Sequence, residues 1–410
     1  MRFSDTLLRG LAPDGGLYVP ESLPRLGTVS ALATLDFPEA AAQVLAPFLE
    51  GDPLHAQLDA LCHEAFTFPL PLTPLAGFPA AVLELFHGPT AAFKDVGARF
   101  LAGCLARSAS TAPRTVLVAT SGDTGGAVAA AFHGRPGFRV VVLYPKGGVS
   151  RRQEHQLTCW GDNVAAYAVQ GAFDDCQRLV KDALSDDTLV RKHGLTTANS
   201  VNLGRILPQL AYHLHAAVRF HARTGELPRM IVPTGNVGNS VVSLWAERMG
   251  APFAGLTFAT NANRARPDYL ASGRWEPRAS VATLANAMDV GNPSNMERVL
   301  HLFPDRASLA AHANAVSVSD DTLRETIARG PTPYATVWDP HTAAAVAAWE
   351  EAGQPPAVLF ATAHPAKFET IVEPLIGEAV RVPEALAEVL KRPVHVQAME
   401  NHPEALREVL

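Results

Sequence analysis

An α/β fold with largely parallel sheets flanked by helices is the class this sequence predicts, and three observations predict it. Short β-rich runs alternate with helical patterns along most of the 410 residues. Two glycine-rich loops each follow an apolar, strand-like run and precede a helix-like one. An apolar content of 48% can bury a core large enough for two domains with accessory segments.

In chain order, residues 38–50 and 53–66 read as an amphipathic helical pair, and the proline-rich FPLPLTP at 68–74 reads as a boundary. Strands are expected at 81–86, 115–119, 138–144, 163–169, 230–233, 255–260 and 357–361, with helices filling the gaps. Residues 264–280 carry prolines, a glycine and scattered charges and read as an irregular insertion. The alanines of 343–348 read as plain helix propensity. The block 114–192 holds two or three βα units of its own. This organisation predicts an N-terminal helical segment (1–78) packed on a large domain (79–113 with 193–410), and a small mobile α/β domain (114–192) that closes on it.

Composition narrows function by exclusion. The formal net charge of -6 is spread without long runs, and Arg151-Arg152 is the only arginine doublet, so no nucleic acid partner is expected. Cys62, Cys104, Cys159 and Cys176 show neither C-x-x-C spacing nor a pairing with His that would suggest zinc. No metal site is expected, and the thiols read as reduced and mostly buried. Arg2, Asp5 and Arg9 interrupt any signal-peptide core, and no apolar stretch approaches membrane-spanning length, which predicts a cytoplasmic, soluble protein without membrane contact. Neither glycine loop ends in Gly-Lys-Ser/Thr, which disfavours a P-loop.

Lys94 is the most informative single residue. It lies in HGPTAAFKDVGARF (87–100), a cation among Pro89, Ala91, Ala92, Phe93 and Val96 in a chain with only six lysines. Crowding an ammonium group with apolar neighbours lowers its pKa and leaves a free amine able to condense with an aldehyde, as a pyridoxal phosphate (PLP) enzyme requires. The competing reading is a helix-start lysine that snorkels to solvent. TSGDTGG at 120–126 and PTGNVGN at 233–239 each bring close-approaching backbone and polar donors to a helix N-terminus, an arrangement that cradles anions. The competing reading of each is a turn that uses Gly, Asn and Asp for conformation alone.

Taken together, HGPTAAFKD, ATSGDTG, ANSVNLGR, PTGNVGN, LANAMDVGNPSN and TAHPAKF, preceded by GLAPDGGLYVPESLP at 10–24, resemble the threonine synthases of the shorter microbial type. The resemblance implies a two-domain, fold type II PLP-dependent enzyme, in the group similar to the tryptophan synthase β subunit, with the cofactor in the large domain. It implies conversion of the small molecule O-phospho-L-homoserine, with water, to L-threonine and phosphate by a β,γ-replacement, the last step of threonine biosynthesis. Lys94 would then join the cofactor as a Schiff base and move protons at the substrate Cα and Cβ. Backbone amides of Gly235, Asn236, Val237, Gly238 and Asn239 would hold the cofactor phosphate, and Thr362 would meet the pyridine nitrogen. Asp123 stands where many relatives of the wider group carry asparagine against the phenolic oxygen; the alternative is an Asx-turn residue. An anionic partner there leaves the proton inventory open.

A substrate with its own phosphate needs a second anion site, and Arg205 offers a planar donor fork for it. Asn199, Asn202, Ser121 and Thr124 would add donors, with Lys146 a weaker candidate. Asp95 reads first as a carboxylate at a helix N-terminus and second as a charge that positions Lys94. His364 reads as a structural cap. Three functions compete: threonine synthase, a PLP-dependent phospholyase that releases a keto acid, and a non-catalytic PLP- or metabolite-binding protein. Lys94, both cradles and Arg205 weigh against the last. The chain opens almost directly on the 10–24 segment and carries no extension similar to the activator-binding domain of plant-type enzymes, so an unregulated monomer is expected.

Overall fold

The computed structural model describes residues 1–108 and 112–410. Eleven strands among them form two sheets: β1 (Leu72–Pro74), β2 (Ala80–Glu84), β3 (Arg114–Ala119), β4 (Phe138–Pro145), β5 (Val164–Val169), β6 (Leu195–Thr197), β7 (Arg229–Pro233), β8 (Gly255–Thr260), β9 (Ala313–Ser317), β10 (Ala357–Ala361) and β11 (Gln397–Met399). The large sheet runs β1-β2-β10-β7-β8-β9 and the small one β11-β5-β4-β3-β6. Every pairing is parallel except β1 with β2. Parallel strands need helical crossovers on both faces, so both faces are buried and the strands read as continuous apolar runs. β10 accordingly has all five residues buried.

The seven strands expected from the sequence are present, and four more are not obvious there. β6, β9 and β11 are three to five residues long and lie at or near sheet edges, with too few positions to set up a period. β1 lies inside the proline-rich 68–74, which is therefore an edge strand of the large sheet, with Pro74 opposite Ala81, and not a boundary. The small sheet likewise outgrows the block 114–192. It takes β6 from just beyond that block and β11 from the C-terminus, and Arg139 donates to the carbonyls of Val409 and Leu410 at 2.6 Å each. Strand partners remote in sequence leave no local signal. Of the expected segment 79–113, residues 109–111 lie outside the described residues.

Two other segments differ from their sequence reading. Within 264–280, Ala265–Ser272 is a helix; Pro267 falls in its first turn, where a missing N–H costs nothing. The alanines of 343–348 belong to the helix Pro340–Glu351, buried from Pro340 to Trp349 on the large sheet. Their small size lets the helix lie close to the strands, so packing as well as propensity selects them.

The carboxyl ends of neighbours β2, β10 and β7 meet the carboxyl ends of β3 and β6 from the other sheet. Open parallel sheets bind ligands at such ends, where connections diverge to opposite faces. Among the described residues, no helix is long and apolar enough to cross a membrane.

Candidate active site

The cavity at this junction is lined by Lys94, both glycine loops, Asn199, Ser200, Arg205, His341 and Thr362. Lys94 is the first residue of the helix Lys94–Arg107 and is partly accessible through the cavity; its Nζ lies 4.3 Å from the centre of the Phe93 ring. Burial and the positive charge of Arg205 push its amine down to about 8, with Asp123 pulling the other way and Lys367 adding to the depression. Asp95, next in the chain, is buried and accepts from the Thr90 N–H at 2.9 Å and the Thr90 hydroxyl at 2.8 Å. It fixes the turn that delivers Lys94. A Cβ on Gly88 would stand 2.4 Å from the Asp95 carboxylate, so this turn has no room for a side chain. Thr362 enters from the end of β10, and its carbonyl accepts from the Phe93 N–H at 2.9 Å.

The loop after β7 is built to receive an anion. Among the described residues, no protein group accepts from the five consecutive N–H groups of Gly235, Asn236, Val237, Gly238 and Asn239. Buried amides are rarely left unpaired without a ligand or water to take them. A Cβ on Gly235 would meet the Ala287 carbonyl oxygen and Met288 Cα at 2.8 Å, while Gly238 leaves 3.2 Å to Ile206. Val237 is held at φ 64, a left-handed backbone that a β-branched residue resists. Asn239 Oδ1 accepts from Tyr212 at 2.6 Å and from His213 Nε2 at 2.9 Å, which leaves its buried Nδ2 with no partner among the described residues. The short Tyr212 contact suits O–H···O and sets the amide with its nitrogen free to donate. These orphan donors and the missing side chains fit the phosphate of a cofactor such as PLP.

In the first loop, the Thr120 hydroxyl accepts from Gly122 N–H at 3.0 Å and Gly125 N–H at 2.8 Å, holding the tight turn. Asp123 does more than make a turn. Its Oδ1 is 2.7 Å from Lys367 Nζ and accepts from Gln153 Nε2 at 3.0 Å. Burial alone would raise the Asp123 pKa, but Lys367, His341 and these hydrogen bonds hold it below the usual carboxylate value. Lys367 is thus the neighbour that does most to favour the ionised form of Asp123. Lys367 also donates to the Thr90 carbonyl at 2.8 Å, and so ties the first loop to the turn before Lys94.

Arg205 is 2% exposed, donates to the Ala198 carbonyl, and has a buried Nε with no partner among the described residues. It makes no ion pair there, and burial pushes it down to about 10. Ser121, Thr124 and Asn199 line the same cavity. Asn199 spends its Oδ1 on the Ala119 N–H (3.0 Å) and one Nδ2 proton on the Ala119 carbonyl (2.6 Å), which leaves one proton to offer. Two residues expected here are elsewhere. Asn202 is fully buried outside the cavity lining, donating to Leu7 and Thr197 carbonyls at 3.0 and 2.9 Å and capping Gly204, so its amide is spent on the fold. Lys146 follows β4 with its side chain exposed to solvent and is not among the residues that line the cavity.

Several site residues escaped the sequence reading. His341 lines the cavity with both nitrogens committed: Nδ1 faces Asp339 at 2.8 Å and Nε2 accepts from the Ala287 N–H at 3.1 Å. The Ser200 hydroxyl accepts from Asn236 and Asn295, both at 2.9 Å, joining the ANSVNLGR segment to the second loop. Arg298 is buried among carbonyls, taking Ser200 at 3.0 Å and Val201 at 2.8 Å. Lys367 and Asn295 sit inside motifs already noted, TAHPAKF and LANAMDVGNPSN, and could have been found there. His364 is a cap, its Nδ1 accepting from the Ala366 N–H at 3.1 Å.

Three family descriptions match the chain: "Threonine synthase N terminus" over residues 1–66, "Pyridoxal-phosphate dependent enzyme" over 68–359 and "Threonine synthase, C-terminal" over 342–410. The threonine synthase of Haemophilus influenzae is 39% identical over 100% of this chain and 96% of its own length. Among solved structures, threonine synthase from Escherichia coli superposes with a TM-score of 0.95 at 37% identity, covering 100% of this chain and 96% of that one. PLP-bound threonine synthase from Brucella melitensis gives 0.90 at 34% identity, again with 100% and 96% covered.

Proposed function

This chain belongs to the threonine synthases, which are PLP-dependent enzymes, and we propose that it holds the cofactor with Lys94 and the loop 235–239 while Arg205 takes the phosphate of O-phospho-L-homoserine. The observation that carries the assignment is one lysine in a cavity shared with two separate donor sets: the five amides of the loop 235–239, which have no acceptor among the described residues, and the guanidinium of Arg205, buried and without an ion pair there. When bound, the cofactor supplies an aldehyde for amines and an electron sink for charge at the substrate carbons.

Two protons must leave the substrate, from Cα and Cβ, before the Cγ–O bond breaks and phosphate departs; the hydroxyl of water then adds at Cβ while its other proton goes to the released phosphate, and protons return to Cα and Cγ. Lys94 is the group that can carry them. His341 has both nitrogens bonded, and Asp123 is held by Lys367 and Gln153. An amine with a pKa near 8 exchanges protons readily near neutral pH. Arg205, Ser121, Thr124 and the spare Asn199 proton would hold the leaving phosphate, and Thr362 would serve the pyridine nitrogen. A hydroxyl there does not enforce ring protonation as a carboxylate would.

Incubating the purified protein with PLP and O-phospho-L-homoserine, and measuring threonine, phosphate and keto acid, tests the reading. Equal amounts of threonine and phosphate are expected; keto acid as the main product would make the enzyme a phospholyase. A cytoplasmic monomer completes the proposal, and equilibrium sedimentation checks the oligomeric state.

A further inference from the structure

The second glycine loop is held from behind by a buried cation. Arg266, on the helix Ala265–Ser272, is 1% exposed and donates from Nη1 to the Gly235 carbonyl at 2.6 Å and from Nη2 to the Thr234 carbonyl at 3.0 Å. A third, longer contact reaches the Asn263 carbonyl at 3.3 Å, and its buried Nε has no partner among the described residues. No carboxylate pairs with it there. A buried guanidinium without a counter-ion is costly, and a surface role or simple space filling would not select one.

Peptide geometry gives this cation a direction. In a trans peptide the C=O and N–H point opposite ways, so the carbonyls of Thr234 and Gly235 carry with them the N–H groups of Gly235 and Asn236. Drawing both carbonyls to Arg266 turns both N–H groups away from it. They are two of the five amides that have no acceptor among the described residues, in a loop that lines the cavity. Charge-assisted bonds at the carbonyl end also polarise the peptide and strengthen the N–H as a donor.

We propose that Arg266 is a positioning residue of the cofactor-phosphate site: it aims the amides of Gly235 and Asn236 at the anion and passes its positive charge to it through two peptides. The inference rests on the reading that loop 235–239 holds that phosphate. The ligand class it serves is a phosphate monoester dianion, the missing counter-ion of the buried guanidinium. Lysine cannot replace it fully, because one ammonium nitrogen does not span two carbonyls as the planar fork does.

The test compares PLP with pyridoxal, which lacks the phosphate, in equilibrium binding to the full-length chain stripped of cofactor and read by absorbance and fluorescence. Arg266→Gln is expected to weaken PLP roughly ten- to a hundredfold while changing pyridoxal by less than about threefold, with Arg266→Lys in between for PLP. A merely structural role would weaken both ligands alike, and that result, or no change in either, overturns the proposal. If the Gln variant does not fold, the Lys variant decides: PLP affinity equal to the natural chain overturns the proposal, and a loss confined to PLP supports it. Gly235→Ala separates the two layers of the argument. If it too leaves the PLP-to-pyridoxal ratio unchanged, the phosphate lies elsewhere and the reading of the loop fails along with the inference; if only the Arg266 variants leave the ratio unchanged, the loop stands and Arg266 is structural.

Discussion

Lys94 and Lys367 are both lysines of the same site, yet their partners give them different work. Lys94 has no ion pair among the described residues and faces the cavity, whereas Lys367 lies 2.7 Å from Asp123. Lys94→Ala should therefore abolish the visible absorbance of lysine-bound cofactor and turnover together; absorbance retained in the variant would move the attachment to another lysine, Lys367 being nearest at hand. Because burial and the Arg205 charge depress Lys94, its reactive neutral form grows as pH rises through about 8, not through the 10.5 of a free lysine. Cofactor capture by the stripped chain should accelerate between pH 7 and 9 and then level, and stopped-flow absorbance would detect a rise that continues to pH 10 instead. Arg205→Ala should raise the KM for O-phospho-L-homoserine by an amount worth roughly 2 to 5 kcal/mol and leave PLP bound; lost PLP with intact substrate affinity would exchange the two phosphate sites. Lys94 was legible from its apolar neighbours taken together with the two glycine loops. Arg266 and His341 were not, because what makes them notable is burial without, or with, one particular partner, and neither is written in the flanking residues.

At the scale of elements, both glycine loops were visible as strand, turn and helix start, but not what holds them. The first depends on Thr120 inside and on Lys367 and Gln153 from other segments; the second depends on Arg266, Asn295 and the left-handed Val237. Their glycines differ in tolerance. Gly235→Ala forces a Cβ to 2.8 Å from the backbone of Ala287 and Met288, whereas Gly238→Ala meets only side-chain atoms, at 3.2 Å or more. Overpacking against backbone costs about 1 to 3 kcal/mol, so Gly235→Ala should weaken cofactor binding about tenfold or more, and Gly238→Ala less. Equilibrium dialysis that ranks them the other way would place the tighter contact with the anion at Gly238.

At the scale of the molecule, the site is assembled from two lobes. Lys94, the second loop and Thr362 come from the large sheet and its connections, and Ser121, Asp123 and Thr124 from the small one. Several contacts already span them: Gln153 accepts from Asn286 at 2.8 Å, Ser150 donates to the Lys367 carbonyl at 2.9 Å, and Gln177 donates to Ser294 at 3.2 Å. We propose that the small lobe closes further when substrate phosphate bridges Ser121, Thr124 and Arg205, which line one cavity. Crystal structures of the chain alone and with a non-reactive phosphonate analogue should differ in lobe orientation; identical orientations would sink the closure. The sequence by itself determined the α/β class, seven of the strands, the family, and the lysine and two glycine loops that the fold brings to one cavity, because periodicity, turn chemistry and motif order are local properties of the chain. Only the tertiary structure decided that the small sheet borrows β6 and β11, that Asn202 and Lys146 lie outside the cavity, and that Arg266 stands behind the phosphate loop. Those facts depend on which distant segments pack together, and on the burial that turns an ordinary guanidinium or amide into one whose partner must be found.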